Sequence, residues 1–191
     1  ADGTWTMRAL RVDDDGNEYL EGISYGWTLS QISRQAAYIK EKDLCAIWGI
    51  YDPGFAKAAM YYMNTRFITK ATWDFYLFGD YGLASTQPIN VAGMSPTYES
   101  LYYYLNMIED CKVKIPWFVS IWGEGDGEIR RKIIKRVIEL GGHIKTGLEM
   151  SYEKNANPTN LDLLKEAQEI AREVGRPLAT REEALKMYGV K

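Results

Sequence analysis

Four times in succession the chain runs through a short apolar stretch, a turn and an amphipathic helix, and this rhythm restricts its fold more than any other feature. The first stretch, Cys45 to Tyr51, closes at Asp52-Pro53-Gly54 and leads into a helix carrying Phe55, Ala58, Ala59, Tyr62 and Met63. The second, Trp73 to Phe78, ends at Gly79 and opens into a long loop from Asp80 to Gly93. Ser95 as N-cap and Pro96 at the first helical position then predict a helix with Leu101, Tyr104, Leu105 and Ile108 on one face. The third, Trp117 to Trp122, precedes a helix with Ile129, Ile133, Val137 and Leu140 on one side and a left-handed glycine cap at Gly141-Gly142. The fourth, His143 to Glu149, is followed by a helix capped by Asn160 and bearing Leu161, Leu164, Ala167, Ile170, Ala171 and Val174. Strands that are apolar along both faces must be covered on both faces, which predicts a parallel sheet flanked by helices.

The flanking segments are less regular. Thr28 and Gln31 have capping-box spacing ahead of a helix with Ile32, Ala36 and Ile39, and Thr180 and Glu183 repeat the device near the end. Thr4–Val12 and Glu18–Leu20 flank Asp15-Gly16, a hairpin signal outside the strand–helix rhythm. The sequence therefore divides into a hairpin arm, residues 1–26, and four strand–helix units with a terminal helix, residues 27–191.

Charge and composition remove several classes of function. A formal net charge of −3 without basic stretches interleaved with aromatics makes nucleic acid a poor partner. Arg130, Arg131, Lys132, Lys135 and Arg136 form one cationic cluster, read as a solvated helix face with anion binding as the alternative. Cys45 and Cys111 fit no ligand motif and suit a reducing compartment. Without an apolar run long enough for a bilayer, or a signal peptide, the expected setting is cytoplasmic, with no membrane partner. Aromatic residues make up 13% of the chain, a surplus that suits a ring-filled core or a large interface.

Two architectures accommodate four strand–helix units: an open doubly wound sheet, or half of a barrel. A dinucleotide-binding sheet needs Gly-x-Gly-x-x-Gly directly after a strand, and Gly123-x-Gly125-x-Gly127 misses that spacing. Its acidic members, Glu124 and Asp126, would also repel a pyrophosphate.

The stretch Gly141-Gly142-His143-Ile144-Lys145-Thr146-Gly147-Leu148-Glu149 resembles the Gly-Gly-His-Val-Arg-Val-Gly-Leu-Glu-Asp signature of the β-keto acid cleavage enzymes, whose type member acts on 3-keto-5-aminohexanoate. Tyr51-Asp52-Pro53-Gly54-Phe55, Phe75 to Gly79, Trp117 to Gly123 and Gly175 to Thr180 resemble further family motifs in the same order, so the likeness covers roughly residues 27–191. The resemblance implies a (β/α)₈ TIM-type barrel in which this chain supplies the C-terminal half, strands five to eight. Complete barrels of that kind have ~250 residues and eight strands. The expectation is therefore that another chain completes the ring: an N-terminal half-barrel, a cleaved precursor or a second copy, since bare sheet edges invite aggregation.

The family holds a divalent metal, usually zinc, with a His-x-His pair on an early strand and the Glu of the Gly-Leu-Glu motif; the resemblance places Glu149 in that ligand position. His143, the only histidine, precedes its strand and is read as structural, so the His-x-His must come from a second polypeptide. The implied chemistry is carbon–carbon bond cleavage or formation on a small keto acid, with a CoA thioester as co-substrate. Lys145 stands where the family has Arg, and is read as a contact for a substrate carboxylate or as half of an interior salt bridge. Asp52, beside a strand end, is read as a substrate contact or a turn residue. Glu124 and Asp126 are read as a cation site or as solvated loop acids. Gly49, Phe55, Glu124 and Met150 replace the family's Glu, His, Arg and Asp, which removes acid–base groups. That loss makes a non-catalytic scaffold or regulatory half-barrel, or a small-ligand binding protein, the alternative to an enzyme subunit.

Overall fold

A computed structural model of the chain describes residues 3–79, 93–123, 127–149 and 158–190. It begins with an antiparallel hairpin of β1 (Gly3–Val12) and β2 (Glu18–Trp27). The Asp13 carboxylate accepts from the backbone N–H groups of Asp15 (3.0 Å) and Asn17 (2.8 Å), and Gly16 takes a positive φ of 82°. The second strand runs well past the expected end at Leu20, to Trp27. Gly22 and Gly26 erase the side-chain pattern there, yet their backbones pair with Arg8 and Thr4.

Next comes α1 (Leu29–Glu41), opened by the predicted Thr28–Gln31 capping box. Four units follow: β3 (Ala46–Ile50) with α2 (Pro53–Asn64), β4 (Ala71–Phe78) with α3 (Tyr98–Glu109), β5 (Trp117–Trp122) with α4 (Glu128–Glu139), and β6 (His143–Lys145) with α5 (Asn160–Val174). The chain closes with α6 (Arg181–Tyr188), started by the Thr180–Glu183 capping box. Strands β3 to β6 form one four-stranded sheet in chain order with every neighbour parallel. Each strand is followed by its helix, as in half of a (β/α)₈ barrel. Among the described residues no helix is long and apolar enough to cross a membrane.

The register separates two faces of this sheet. On the helix side lie Ile50, Trp73, Phe75, Leu77, Val119 and Ile121, which join Ala56, Met63, Leu101, Tyr104, Ile133, Val137 and Ile170 from the helices in one core. Phe75 and Tyr104 stack at 5.0 Å between ring centres, so β4 and α3 are fixed face to face. Burying side chains of this size contributes about 1.5–3 kcal/mol each. The other face carries Ile47, Gly49, Thr72, Asp74, Tyr76, Phe78, Phe118, Ser120, Trp122, His143 and Lys145, paired across the strands in register.

Several sequence expectations shift. Thr97, not Ser95, caps α3 by accepting from the Ser100 N–H, and Pro96 precedes the helix. Thr159, not Asn160, caps α5. Asn160 instead accepts from the Leu148 N–H at 3.0 Å and ties the segment after β6 to the helix. The fourth strand spans three residues, not seven, because β6 has a partner on one side only and loses its ladder after Lys145. Ile129, Leu161 and Leu164 were expected in buried stripes and are exposed, at 40%, 58% and 53%. The cationic cluster is not a bare solvated face. Arg130 is buried against Glu166 at 2.7 Å, and Arg131 meets Glu173 at 2.6 Å, so α5 neutralises α4.

Gly141 and Gly142 do separate jobs. Gly141 adopts φ 84° beyond the end of α4, a conformation that costs glycine little. At Gly142 a Cβ would run into the Trp117 ring, so the chain enters β6 pressed against that indole. The Arg176 guanidinium donates to the Gly142 carbonyl and, at 3.3 Å, to that of Ile138, fastening the same corner. We expect Gly142→Ala to lower stability by about 1–3 kcal/mol through overpacking, with an unchanged denaturant slope in a urea titration.

Candidate functional site

The polar groups of the non-helical face converge on Asp74. It lies mid-strand in β4, fully buried, in a stretch otherwise made of apolar residues and Thr72. A buried carboxylate is costly unless several donors satisfy it. Ser120 on β5 donates to its Oδ1 at 2.6 Å, and the Lys145 ammonium on β6 reaches its Oδ2 at 3.3 Å. The Tyr76 phenol hydrogen-bonds it as well. Three neighbouring strands are thereby joined through one carboxylate.

Lys145 also donates to the Tyr76 hydroxyl at 3.1 Å, while its side chain remains 47% exposed. Tyr76 stacks on Tyr51 with 4.2 Å between ring centres, and their hydroxyls are hydrogen-bonded. Burial first, and then the Asp74 charge, push the Tyr76 phenol up to about 12, so it stays a neutral donor near neutral pH. Burial raises the Tyr51 phenol too. Phe78 and Trp122 extend the ring layer toward the C-terminal rim of the sheet. The Tyr51 and Tyr76 rings pack over Gly49: a Cβ there would sit 3.4 Å from the Tyr51 ring and 3.5 Å from that of Tyr76, in ordinary contact with both.

The predicted site residues fall in three places. Lys145 is in the Asp74 network, so it does form an interior salt bridge. Glu149 is exposed beyond the C-terminal end of β6, and its charge is the smallest of the effects that shift Tyr76. Asp52 is half-buried as the N-cap of α2 without a side-chain capping bond, and burial raises its carboxyl above the usual range. Its charge acts on Tyr104 of α3. Glu124, Asp126 and Met150 lie outside the described residues.

His143 opens β6, at the end opposite Glu149, with its ring against Phe118. Burial, helped by Arg176, lowers its pKa and favours the neutral imidazole. Among the described residues no three His, Cys, Asp or Glu side chains come together. Glu149 can offer one oxygen to a metal, and zinc sites of catalytic type take three protein ligands. This chain's described residues do not fit such an ion alone.

Asp74, Tyr76 and Ser120 were not singled out in the sequence. The signal was a lone aspartate inside an apolar strand, a residue that must find a buried donor. Its partners, 46 and 71 residues away, carry no local mark.

A cavity of about 900 Å³ opens beside this network, lined by Ile47, Asp74, Phe118 and Lys145 and running past the free side of β6 to Leu164 and Ala171. The family model of the beta-keto acid cleavage enzymes matches residues 5–190, so the likeness takes in β1 and β2 as well as the four strand–helix units.

Lys145→Met strands the Asp74 charge with neutral donors. We expect it to cost roughly 1–3 kcal/mol, toward the lower end because the ammonium is half in solvent. Adding Asp74→Asn should return part of that loss, as read from a double-mutant cycle of denaturation midpoints.

Proposed function

The chain belongs to the beta-keto acid cleavage enzyme family, and from that premise we propose that it is a divergent subunit of a metal-dependent enzyme that makes or breaks a carbon–carbon bond in a small keto acid. The observation that carries this reading is that the family-like stretch after Gly142 holds both Lys145, which donates to the Tyr76 hydroxyl on the open face, and Glu149, exposed beyond the C-terminal end of β6 at the rim of the parallel strands. Barrel chemistry is built at that rim. In this reading Lys145 contacts a substrate oxygen, Glu149 is one metal ligand, and Asp52 serves the edge of the substrate site. A CoA thioester is the candidate co-substrate.

We further propose that a second polypeptide supplies the remaining strands and a His-x-His pair, without which zinc has too few ligands. Three features support a missing neighbour. Among the described residues, strands β3 and β6 each pair on one side only. Ile47, on the open face of β3, is 66% exposed, and an apolar groove of about 220 Å³ runs between β3, α1 and α2. Thr72 Oγ1 and Trp122 Nε1, buried on the same face, have no hydrogen-bond partner among the described residues. Free thiols at Cys45 and Cys111 suit a cytoplasmic setting for this assembly.

One observation favours a second reading, a non-catalytic half-barrel that stabilises or regulates a catalytic one. The space beside Gly49 is filled by the Tyr51 and Tyr76 rings where the family carries an acid. Metal analysis of the purified assembly separates the two. We expect stoichiometric zinc that is lost in Glu149→Gln; zinc that survives the substitution assigns the chain to the scaffold role.

A further inference from the structure

We infer that Asp74 is a positioning residue that turns Lys145 into a fixed, single-donor contact for one oxygen of a small keto acid or related carboxylate. This deepens the reading of Lys145 given above and rests on it. Hydrogen-bond accounting leads there. An ammonium has three donors and no acceptor. Lys145 places one on Asp74 Oδ2 at 3.3 Å and one on the Tyr76 hydroxyl at 3.1 Å. The other polar groups of the network are already engaged: Ser120 donates to Asp74, and the Tyr76 hydroxyl accepts from Lys145.

The third Lys145 N–H is therefore the donor the network can still offer. Lys145 lines the cavity of about 900 Å³, with Ile47 and Phe118 as apolar walls on the same face. Asp74 itself is 1% exposed while Lys145 is 47% exposed, so its role runs through Lys145. Its charge also cancels that of the ammonium. The pair thus offers a directed hydrogen bond rather than a broad positive field, and a lysine, unlike arginine, presents no two-pronged fork. Such a contact selects one acceptor oxygen at a fixed place, as in a carbonyl or one arm of a carboxylate.

The side-chain ammonium resonances of the whole chain test this, with acetoacetate as the probe. A Lys145 ammonium held by Asp74 should exchange slowly with water and give a resolved signal that shifts on adding acetoacetate. Asp74→Asn should remove that signal and weaken acetoacetate binding by roughly tenfold or more, the scale of one charge-assisted hydrogen bond. Should Asp74→Asn not fold, Ser120→Ala decides instead: it keeps the charge but frees the carboxylate, and should speed the exchange of Lys145 while sparing the other lysines. A folded Asp74→Asn chain with an unchanged Lys145 signal, a Ser120→Ala chain with unchanged exchange, or a wild-type signal indifferent to acetoacetate, overturns the inference. Zinc content and turnover of the assembly are separate readouts, so loss of this contact and loss of the family chemistry are told apart.

Discussion

The fold is organised around a charge placed where charge is least welcome. Asp74 sits at the middle of the central β4 strand, sealed from solvent, and its carboxylate needs donors from the strands beside it. Satisfying it ties β4, β5 and β6 together at one height. Strand register in a parallel sheet is otherwise set mainly by side-chain packing on the helix side, where rings such as Phe75 and Tyr104 lock each strand to its covering helix. The two faces are thus governed by different physics, shape on one and hydrogen-bond satisfaction on the other.

The same division explains the condition of the sheet's borders. Helices cover the outer face of β3 to β6 and complete a core there, but among the described residues no strand pairs the far sides of β3 and β6. Apolar grooves lie beside both borders, and Ile47 and Leu164 face them uncovered. A sheet left in this state is prone to pair with other strands. Among the described residues, the unpaired sides of β3 and β6 are where further strands would join to close a ring.

Much of this was legible in the residues. The strand–helix rhythm, the capping boxes at Thr28 and Thr180, and the left-handed Gly141 are local signals read within a few residues, and they hold. The end of β2 was hidden because glycines carry no pattern, and the length of β6 was overestimated because residues 146–149 lie past the point where its ladder with β5 stops. Thr97 and Thr159 displaced Ser95 and Asn160 as caps; each pair stands one or two residues apart with similar chemistry, and the choice depends on where the chain leaves the preceding loop. At the site, Lys145 and Glu149 stood in a motif. Asp74 gave only the weak signal of a charge in an apolar strand, and Ser120 gave none, because their meeting depends on strand order rather than spacing.

Amide hydrogen exchange along the two border strands addresses the missing neighbours most directly. If a second polypeptide closes the sheet, the amides of Ala46–Ile50 and His143–Lys145 that point away from β4 and β5 should exchange rapidly in the isolated chain and become protected in the assembly, while those of β4 and β5 stay protected in both. Equal, strong protection of the border amides in a well-behaved isolated monomer would contradict a half-built ring.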